Sequence, residues 1–387
     1  MTESVFVLDI GTTSLKAGLI SAEGEVVFIF RKKYLNPYAL DVSKFWLSAF
    51  EFAFQKAKKF SKKRDIQIKA ICISGNGPTI VDSYGRTLLW NGNNIPHDIK
   101  EQSESELEKI NWQLKEKNIH SLFIPRILLF KELYPKNYTN SSYIFSGPEY
   151  LIYKLTANAI TILPEKRYLS AYWEQALLKS LDLDIEKFPA YISTGDLAGY
   201  FKGIPVFAGG PDFIVALIGT NTLSPGKICD RSGSSEGINF CVSKEIHSLG
   251  IRTLPSVIPD LWNCSVLIPN SSKLKENDRL TKLKEGLQLL QKISKENDFD
   301  FPLQMKVTGG QTKNTMWMQK KASFLEMNLE VCDCQDSELL GDACIAFKGL
   351  GKYDSLSEAA ENISKSQQIY NFQSKKISLQ GLSDDSL

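Results

Sequence analysis

Asp9 closes an apolar run, Val5–Ile10, and Gly11-Thr12-Thr13-Ser14-Leu15-Lys16 follows it. A strand that ends in Asp sets a carboxylate beside a turn whose backbone N–H groups and hydroxyls can hold phosphate oxygens. Lys16 can reach the same anion. Magnesium suits such a place, because it prefers oxygen ligands and often takes one carboxylate together with substrate phosphates and water. An Asx-type hairpin turn with Lys16 in solvent accounts for the same residues. In Ser232-Gly233-Ser234-Ser235-Glu236-Gly237, small hydroxyl residues and glycines let backbone approach a phosphate closely, as they also do in an ordinary hairpin loop. Gly309-Gly310-Gln311-Thr312-Lys313-Asn314 joins a strand to a helix start. Its glycines leave room for a flat ring against backbone, or simply make a tight turn. Gly209-Gly210-Pro211-Asp212 precedes an apolar helix. Asp212 there either caps the helix, an interaction of about 1 kcal/mol, or receives the proton of an alcohol as a phosphoryl group moves onto it.

The elements that must carry these residues follow from hydrophobic periodicity. Val5–Ile10, Leu15–Ile20 and Val26–Phe30 predict an antiparallel three-strand meander. A helix is expected over Ser43–Phe60, then a buried strand at Lys69–Ser74, the turn Gly75-Asn76-Gly77-Pro78 and a hairpin around Tyr84-Gly85. Helices are expected at Asp98–Glu116 and Ser141–Leu155, a short strand at Val206–Ala208, and a helix from Asp212 to Gly219. After Thr220 the pattern restarts. Strands at Lys227–Asp230 and Ile238–Ser243 flank the polar Ser232–Gly237 turn. An amphipathic helix over Asp278–Glu296, a strand at Met305–Thr308 and a helix from about Thr312 follow. Each half thus begins with strand, glycine- and hydroxyl-rich turn, strand. The boundary is set near Thr220, and the polar residues from about Ser364 are expected to form a loosely held tail.

With 387 residues, 43% hydrophobic and 23% charged, the chain exceeds one ordinary core and predicts two globular domains. A net charge of +2 supplies no basic field for nucleic acid or an anionic membrane. The basic run Lys58–Arg64 ends an amphipathic helix and is expected to be solvated there. No run of 18 apolar residues spans a bilayer, and the start, Met1-Thr2-Glu3-Ser4, lacks the features of a secretion signal. Seven cysteines scattered in apolar segments predict reduced core thiols and a cytoplasmic protein. Cys332 and Cys334, with no histidine or further cysteine nearby, make a poor metal site.

Taken in order, Asp9–Lys16, Gly209–Asp212, Ser232–Gly237 and Gly309–Asn314 resemble the FGGY carbohydrate kinases (xylulokinase, glycerol kinase, gluconokinase), and the match runs from Val5 to about Ile363. Ala70–Trp90 looks like the family's strand, substrate turn and hairpin. Gly147-Pro148-Glu149-Tyr150-Leu151 is similar to its helix before a Leu-Thr-Gly-like turn, and Leu340-Gly341-Asp342-Ala343 to its late helix. The resemblance implies an α/β fold of two ribonuclease-H-like domains, of the actin and sugar-kinase superfamily, with a cleft between them. It places the sugar site, first phosphate motif and catalytic base in 1–219, and the second phosphate loop and adenosine motif in a shortened 220–387. The implied activity is ATP- and magnesium-dependent phosphorylation of a small sugar or polyol. Asp212 would be the base and Asp9 would hold the metal. Thr12, Thr13, Lys16, Ser234 and Ser235 would address phosphates, and Gly309, Gly310, Gln311 and Asn314 adenosine. Asn76, Gly77, Pro78 and Glu149 would meet the acceptor. Neither nucleic acid nor a membrane is an expected partner, and the oligomeric state is open, a homodimer included.

The chain departs from the family at three places. Asn76-Gly77-Pro78 stands where several members carry larger or charged side chains, and Trp90-Asn91-Gly92-Asn93-Asn94 lacks an arginine. Ser234 stands where glycine is usual. Only Cys241–Lys306 separates the second phosphate loop from the adenosine motif, without a Gly-Glu-Arg-like sequence. The alternative these departures keep is a catalytically inactive nucleotide-binding regulator or sensor of the same fold.

Overall fold

The computed structural model describes residues 2–233 and 235–373. Strands Thr2–Ile10 (β1), Ser14–Ser21 (β2) and Val26–Lys33 (β3) form the expected antiparallel meander. Along β1, Phe6, Leu8 and Ile10 point to one face and Val5 and Val7 to the other, so the sheet is covered on both sides. Helix Ser43–Arg64 (α1) buries Trp46, Ala49, Phe50, Ala53, Phe54 and Ala57 against the first face. It ends at Asp65 in the left-handed conformation, with Lys62, Lys63 and Arg64 in its last turn. Strand Ile66–Gly75 (β4) returns parallel to β1.

A long insertion follows. It contains helices Lys100–Glu116 and Ile124–Leu133 and a small sheet of Ile80–Asp82, Thr87–Leu88 and Ile144–Phe145. The helix expected over Ser141–Leu155 is corrected here. Ile144 and Phe145 pair with Val81 and Asp82 as a strand, and the helix starts only at Gly147, running to Thr156 (α2) with Pro148 in its first turn. Strands Leu197–Phe201 (β5) and Ile204–Pro211 (β6) complete a six-stranded sheet in the order β5-β6-β4-β1-β2-β3. Helix Asp212–Gly219 (α3) leaves its edge.

The second sheet begins with the hairpin Ile228–Ser232 (β7) and Glu236–Val242 (β8), then Arg252–Pro255 (β9) and Trp262–Ile268 (β10). Helix Glu276–Glu296 (α4) leads to Gln304–Thr308 (β11), helix Thr315–Leu325 (α5) and Asn328–Cys332 (β12). Helices Ser337–Gly349 (α6) and Leu356–Ile363 (α7) precede Ser366–Tyr370 (β13). The order is β9-β10-β8-β7-β11-β12-β13. The expected loose tail is therefore corrected in part: Ile369 and Tyr370 pair with Glu330 and Leu329, and β13 closes the sheet edge. The helix expected from Thr312 begins at Thr315, after a 3-10 turn at Gly310–Lys313.

Strands up to Pro211 form the first sheet and strands from Ile228 the second, yet packing crosses that division. α6 and α7 return to the first sheet and cover Val5, Val7, Ala70 and Cys72 together with α3. α3 and α6 cross in van der Waals contact: a Cβ on Gly219 would lie 1.9 Å from the Ser337 carbonyl oxygen, and one on Gly341 1.9 Å from that of Val215. A second tie lies on the far side. Arg167 donates to the carbonyls of Leu261 (3.0 Å), Ser256 (3.3 Å) and Ile258 (3.0 Å), and its guanidinium lies 4.9 Å from the Trp262 ring centre. The Tyr168 hydroxyl donates to the Pro255 carbonyl at 2.6 Å. All seven cysteines are free and buried. Among the described residues no helix is long and apolar enough to cross a membrane.

Candidate active site

Asp9 and Lys16 face each other across the β1–β2 ladder, and Gly11 closes the turn by donating to the Ser14 carbonyl at 3.0 Å. One Asp9 oxygen, Oδ2, lies 3.3 Å from Lys16 Nζ; the other, Oδ1, is buried and has no hydrogen-bond partner among the described residues. Burial pushes Asp9 up to about 7; Lys16 opposes the shift, while Glu338 and Asp212 add to it. Lys16 also lies 3.2 Å from Asp336 and 3.4 Å from Glu338 at the start of α6. Burial works against the Lys16 charge, but Glu338, Asp9 and Asp336 outweigh it and hold the ammonium charged. Arg31 Nη2 donates to both Asp336 oxygens, at 2.9 and 3.1 Å. Thr13 is exposed at the hairpin tip.

β4 runs into the Asn76-Gly77-Pro78 turn beside this hairpin. Asn76 N–H donates to the Ile10 carbonyl at 2.9 Å, and Asn76 Nδ2 to Thr12 Oγ1 at 3.3 Å. Trp90 Nε1 donates to the same oxygen at 3.1 Å. Behind the turn, a narrow recess of about 10 Å³ is lined by Gly75, Gly77, Phe123, Glu149, Tyr172 and Pro211, among others. Pro78 is half-buried beside it in sequence. Glu149 borders the recess, but both its oxygens are already taken: Oε2 accepts from Ser146 N–H at 2.6 Å and Oε1 from Ile162 N–H at 2.7 Å. It caps α2 and ties it to the Thr161–Leu163 strand, so each of its oxygens already carries one structural bond. Burial pushes it up to about 7 against those two bonds.

Asp212 is the first residue of α3, with Pro211 in the capping position. Burial raises its pKa; Arg231, on β7 of the other sheet, pulls it back, and Glu338 pushes it up again. Arg231 has a buried Nε with no partner among the described residues. Below the site, the buried Asp342 of α6 accepts from Ser74 Oγ at 2.7 Å and Cys72 Sγ at 3.3 Å, and burial raises it well above the usual carboxylate range.

In the second half, Gly309 adopts φ +94, and a Cβ there would lie 1.8 Å from the Ser232 carbonyl oxygen. Only glycine at 309 lets the chain pass this close to Ser232 at the end of β7. Ser234 lies outside the described residues; Ser235 Oγ accepts from Asn270 N–H at 3.1 Å. Polar ends of the motif turn inward. Gln311 Nε2 donates to Glu236 at 2.9 Å, and its oxygen accepts from Trp317 Nε1 at 2.6 Å and Arg279 Nη2 at 3.1 Å. The Asn314 side chain caps α5 by accepting from Trp317 N–H at 3.0 Å. Gln311 and Asn314 thus shape the turn, while Gly309 and Gly310 leave bare backbone at the surface. Beneath them the fully buried Lys321 bridges Asp230 and Glu236, and Arg279 Nε reaches Glu236 at 2.6 Å. Burial opposes the Glu236 charge, yet Lys321 and Arg279 hold its pKa at about 2; burial and Glu236 raise Asp230 to about 7.

The structure therefore links Asp9 with Lys16, Thr12 with Asn76, and Asp212 electrostatically with Asp9 and Lys16, while Ser235, Gly309 and Gly310 lie in turns of the second sheet. Sequence reasoning missed Glu338, Asp336, Arg231 and Arg279. Each is an ordinary charge in its local segment and becomes part of the site only through contacts across the fold.

No family model matches the chain. Xylulose kinase of Escherichia coli K12 is 22% identical over 311 residues, covering 71% of this chain and 63% of that protein. L-fuculokinase of Haemophilus influenzae is 33% identical over 81 residues, 21% of this chain and 16% of that one. The chain thus matches less than two thirds of the length of these curated relatives. Ligand-bound xylulose kinase of Lactobacillus acidophilus superposes with a TM-score of 0.75 at 15% identity, over 96% of this chain and 94% of that one. Plasmodium falciparum glycerol kinase with ADP gives 0.71 at 15%, over the same shares. The chain has the fold of these sugar kinases and is similar in sequence to xylulose kinase and L-fuculokinase.

Proposed function

We propose that the chain moves the γ-phosphoryl group of ATP onto a hydroxyl of a small sugar or polyol, with residues 1–219 and 220–387 as the two walls of the site. The observation that carries this reading is Asp212 beside Pro211 at the edge of the recess, in the electrostatic reach of the Asp9–Lys16 hairpin. As the acceptor oxygen bonds to phosphorus, its proton passes to the Asp212 carboxylate, and the bond from phosphorus to the ADP oxygen breaks.

The residues present fit magnesium. Asp9 Oδ1 is a buried carboxylate oxygen without a partner, and Asp336, Glu338 and Asp212 make the surroundings acidic, so phosphate needs an accompanying cation. Among the described residues no cluster of three or more ligating side chains exists, so Asp9 would hold the ion together with phosphate oxygens. When bound, magnesium neutralises charge on the transferring phosphoryl group. Lys16 neutralises part of the same charge, and the bare backbone of Gly309 and Gly310 is the surface offered to adenosine. One observation favours a nucleotide-binding sensor without transfer: Lys16 is engaged by three carboxylates rather than open to phosphate.

A screen of ATP consumption with magnesium over polyols, ketoses, aldoses and sugar acids decides between them. Acceptor-dependent ADP release is expected from at least one small compound. ATP binding with no stimulated turnover would establish the sensor instead, and absence of any thermal shift with saturating magnesium–ATP would remove both.

A further inference from the structure

The hydrogen bonds joining the acceptor turn to the phosphate hairpin form a closed circuit. Trp90 N–H donates to Thr79 Oγ1 at 3.2 Å, and Thr79 Oγ1 donates to Asn76 Oδ1 at 3.1 Å. Asn76 Nδ2 then donates to Thr12 Oγ1 at 3.3 Å, and Trp90 Nε1 closes the ring on the same oxygen at 3.1 Å. An indole nitrogen can only donate. Thr79 gives its proton to Asn76 Oδ1, which turns the amide NH₂ toward Thr12. The Thr12 hydroxyl has two lone pairs and one hydrogen, and both lone pairs are filled. Among the described residues nothing accepts that hydrogen. It is therefore confined to the one remaining direction, away from both donors, at a half-buried position on the hairpin.

We infer that Trp90 and Asn76 are positioning residues that aim the Thr12 hydroxyl as a dedicated donor to the phosphoryl group in transit. This rests on the phosphoryl-transfer reading above. A donor fixed in advance loses nothing to reorientation as charge spreads over the phosphoryl oxygens. The circuit also links the two substrates, because a Cβ on Gly77, which lines the acceptor recess, would lie 3.7 Å from the Trp90 Cβ. An unconstrained threonine would share its hydrogen among several acceptors.

Trp90→Phe keeps the aromatic body and removes only the indole N–H. It should lower kcat about tenfold, the scale of one misdirected hydrogen bond, while the acceptor KM and the melting temperature stay near wild type. Thr12→Val should lower kcat by at least as much, and adding Trp90→Phe to it should cost nothing further. Asn76→Asp sets an acceptor against the Thr12 hydrogen and should also lower kcat, so the test survives a failure of the tryptophan variant to fold. Wild-type kcat in Trp90→Phe, or full additivity of the two changes, would overturn the inference alone. A wild-type protein that turns over no acceptor would instead sink the transfer reading beneath it.

Discussion

Asp212 owes its raised pKa first to burial, with Arg231 opposing and Glu338 assisting. A base must be ionised, so kcat/KM should fall as pH drops through that raised value, with the acid limb above the usual carboxylate range. Asp212→Asn should reduce kcat by about 100-fold or more and abolish that limb, while calorimetry shows ATP affinity nearly unchanged. Wild-type turnover in the variant would take Asp212 out of the mechanism. At this scale the sequence is informative where chemistry is local. Asp9 and Lys16 oppose each other because a hairpin turns between them, and that turn is written in Gly11-Thr12-Thr13. Asp336 and Glu338 reach Lys16 from more than 300 residues away, and no local pattern announces such a pairing. Glu149 carries a role the sequence did not announce: its oxygens accept from the buried N–H groups of Ser146 and Ile162.

Between elements, the decisive contact is the crossing of α3 and α6, where Gly219 and Gly341 bring backbone onto backbone. Gly219→Ala should lower the unfolding free energy by about 1–3 kcal/mol, because its methyl has to displace the Ser337 carbonyl rather than a flexible side chain. A denaturation midpoint equal to wild type would show that the helices can part without cost. Most elements were legible from periodicity and punctuation, since α1 and α4 are long and amphipathic and β1–β3 are short apolar runs separated by polar turns. The misreading at Ser141–Leu155 has a definite cause. Ile144 and Phe145 are apolar at a spacing that also suits a helix, and only their pairing with Val81 and Asp82 makes them a strand. β13 was missed because its residues are mostly polar and exposed; it is held by backbone pairing to β12 rather than by a buried face.

For the whole molecule, the two halves are joined on one side by α3 and α6 and on the other by Arg167, Tyr168 and the Pro255–Leu261 segment. If the cleft closes around an acceptor, this second tie is one of the contacts that would hold the halves together as it does. Arg167→Ala leaves three carbonyls without their donor. It should cost about 1–3 kcal/mol of stability and raise ATP hydrolysis without acceptor several-fold relative to transfer. Product analysis with and without acceptor checks this, and an unchanged ratio would show that closure does not use the arginine. The two large sheets were legible because each half begins with strand, polar turn, strand. The tie was not, since an arginine that caps carbonyls of a distant loop has no signature in its own neighbourhood.

The return of α6 and α7 to the first sheet sets an order of assembly. Val5, Val7, Ala70, Cys72 and Phe207 are covered by Leu340, Ala343, Phe347, Ala360 and Ile363, so the partners are far apart in sequence, Val5 and Val7 farthest of all. During synthesis one face of the first sheet is covered by α3 alone until α6 and α7 have been made, although its strands are complete by Pro211. The nascent first half is thus a sheet with one partly wet apolar face, prone to wrong partners while it waits. The long sequence separation of these contacts makes their closure a slow, late step of folding. The same helices that join the halves in the finished protein decide when its first half can finish folding.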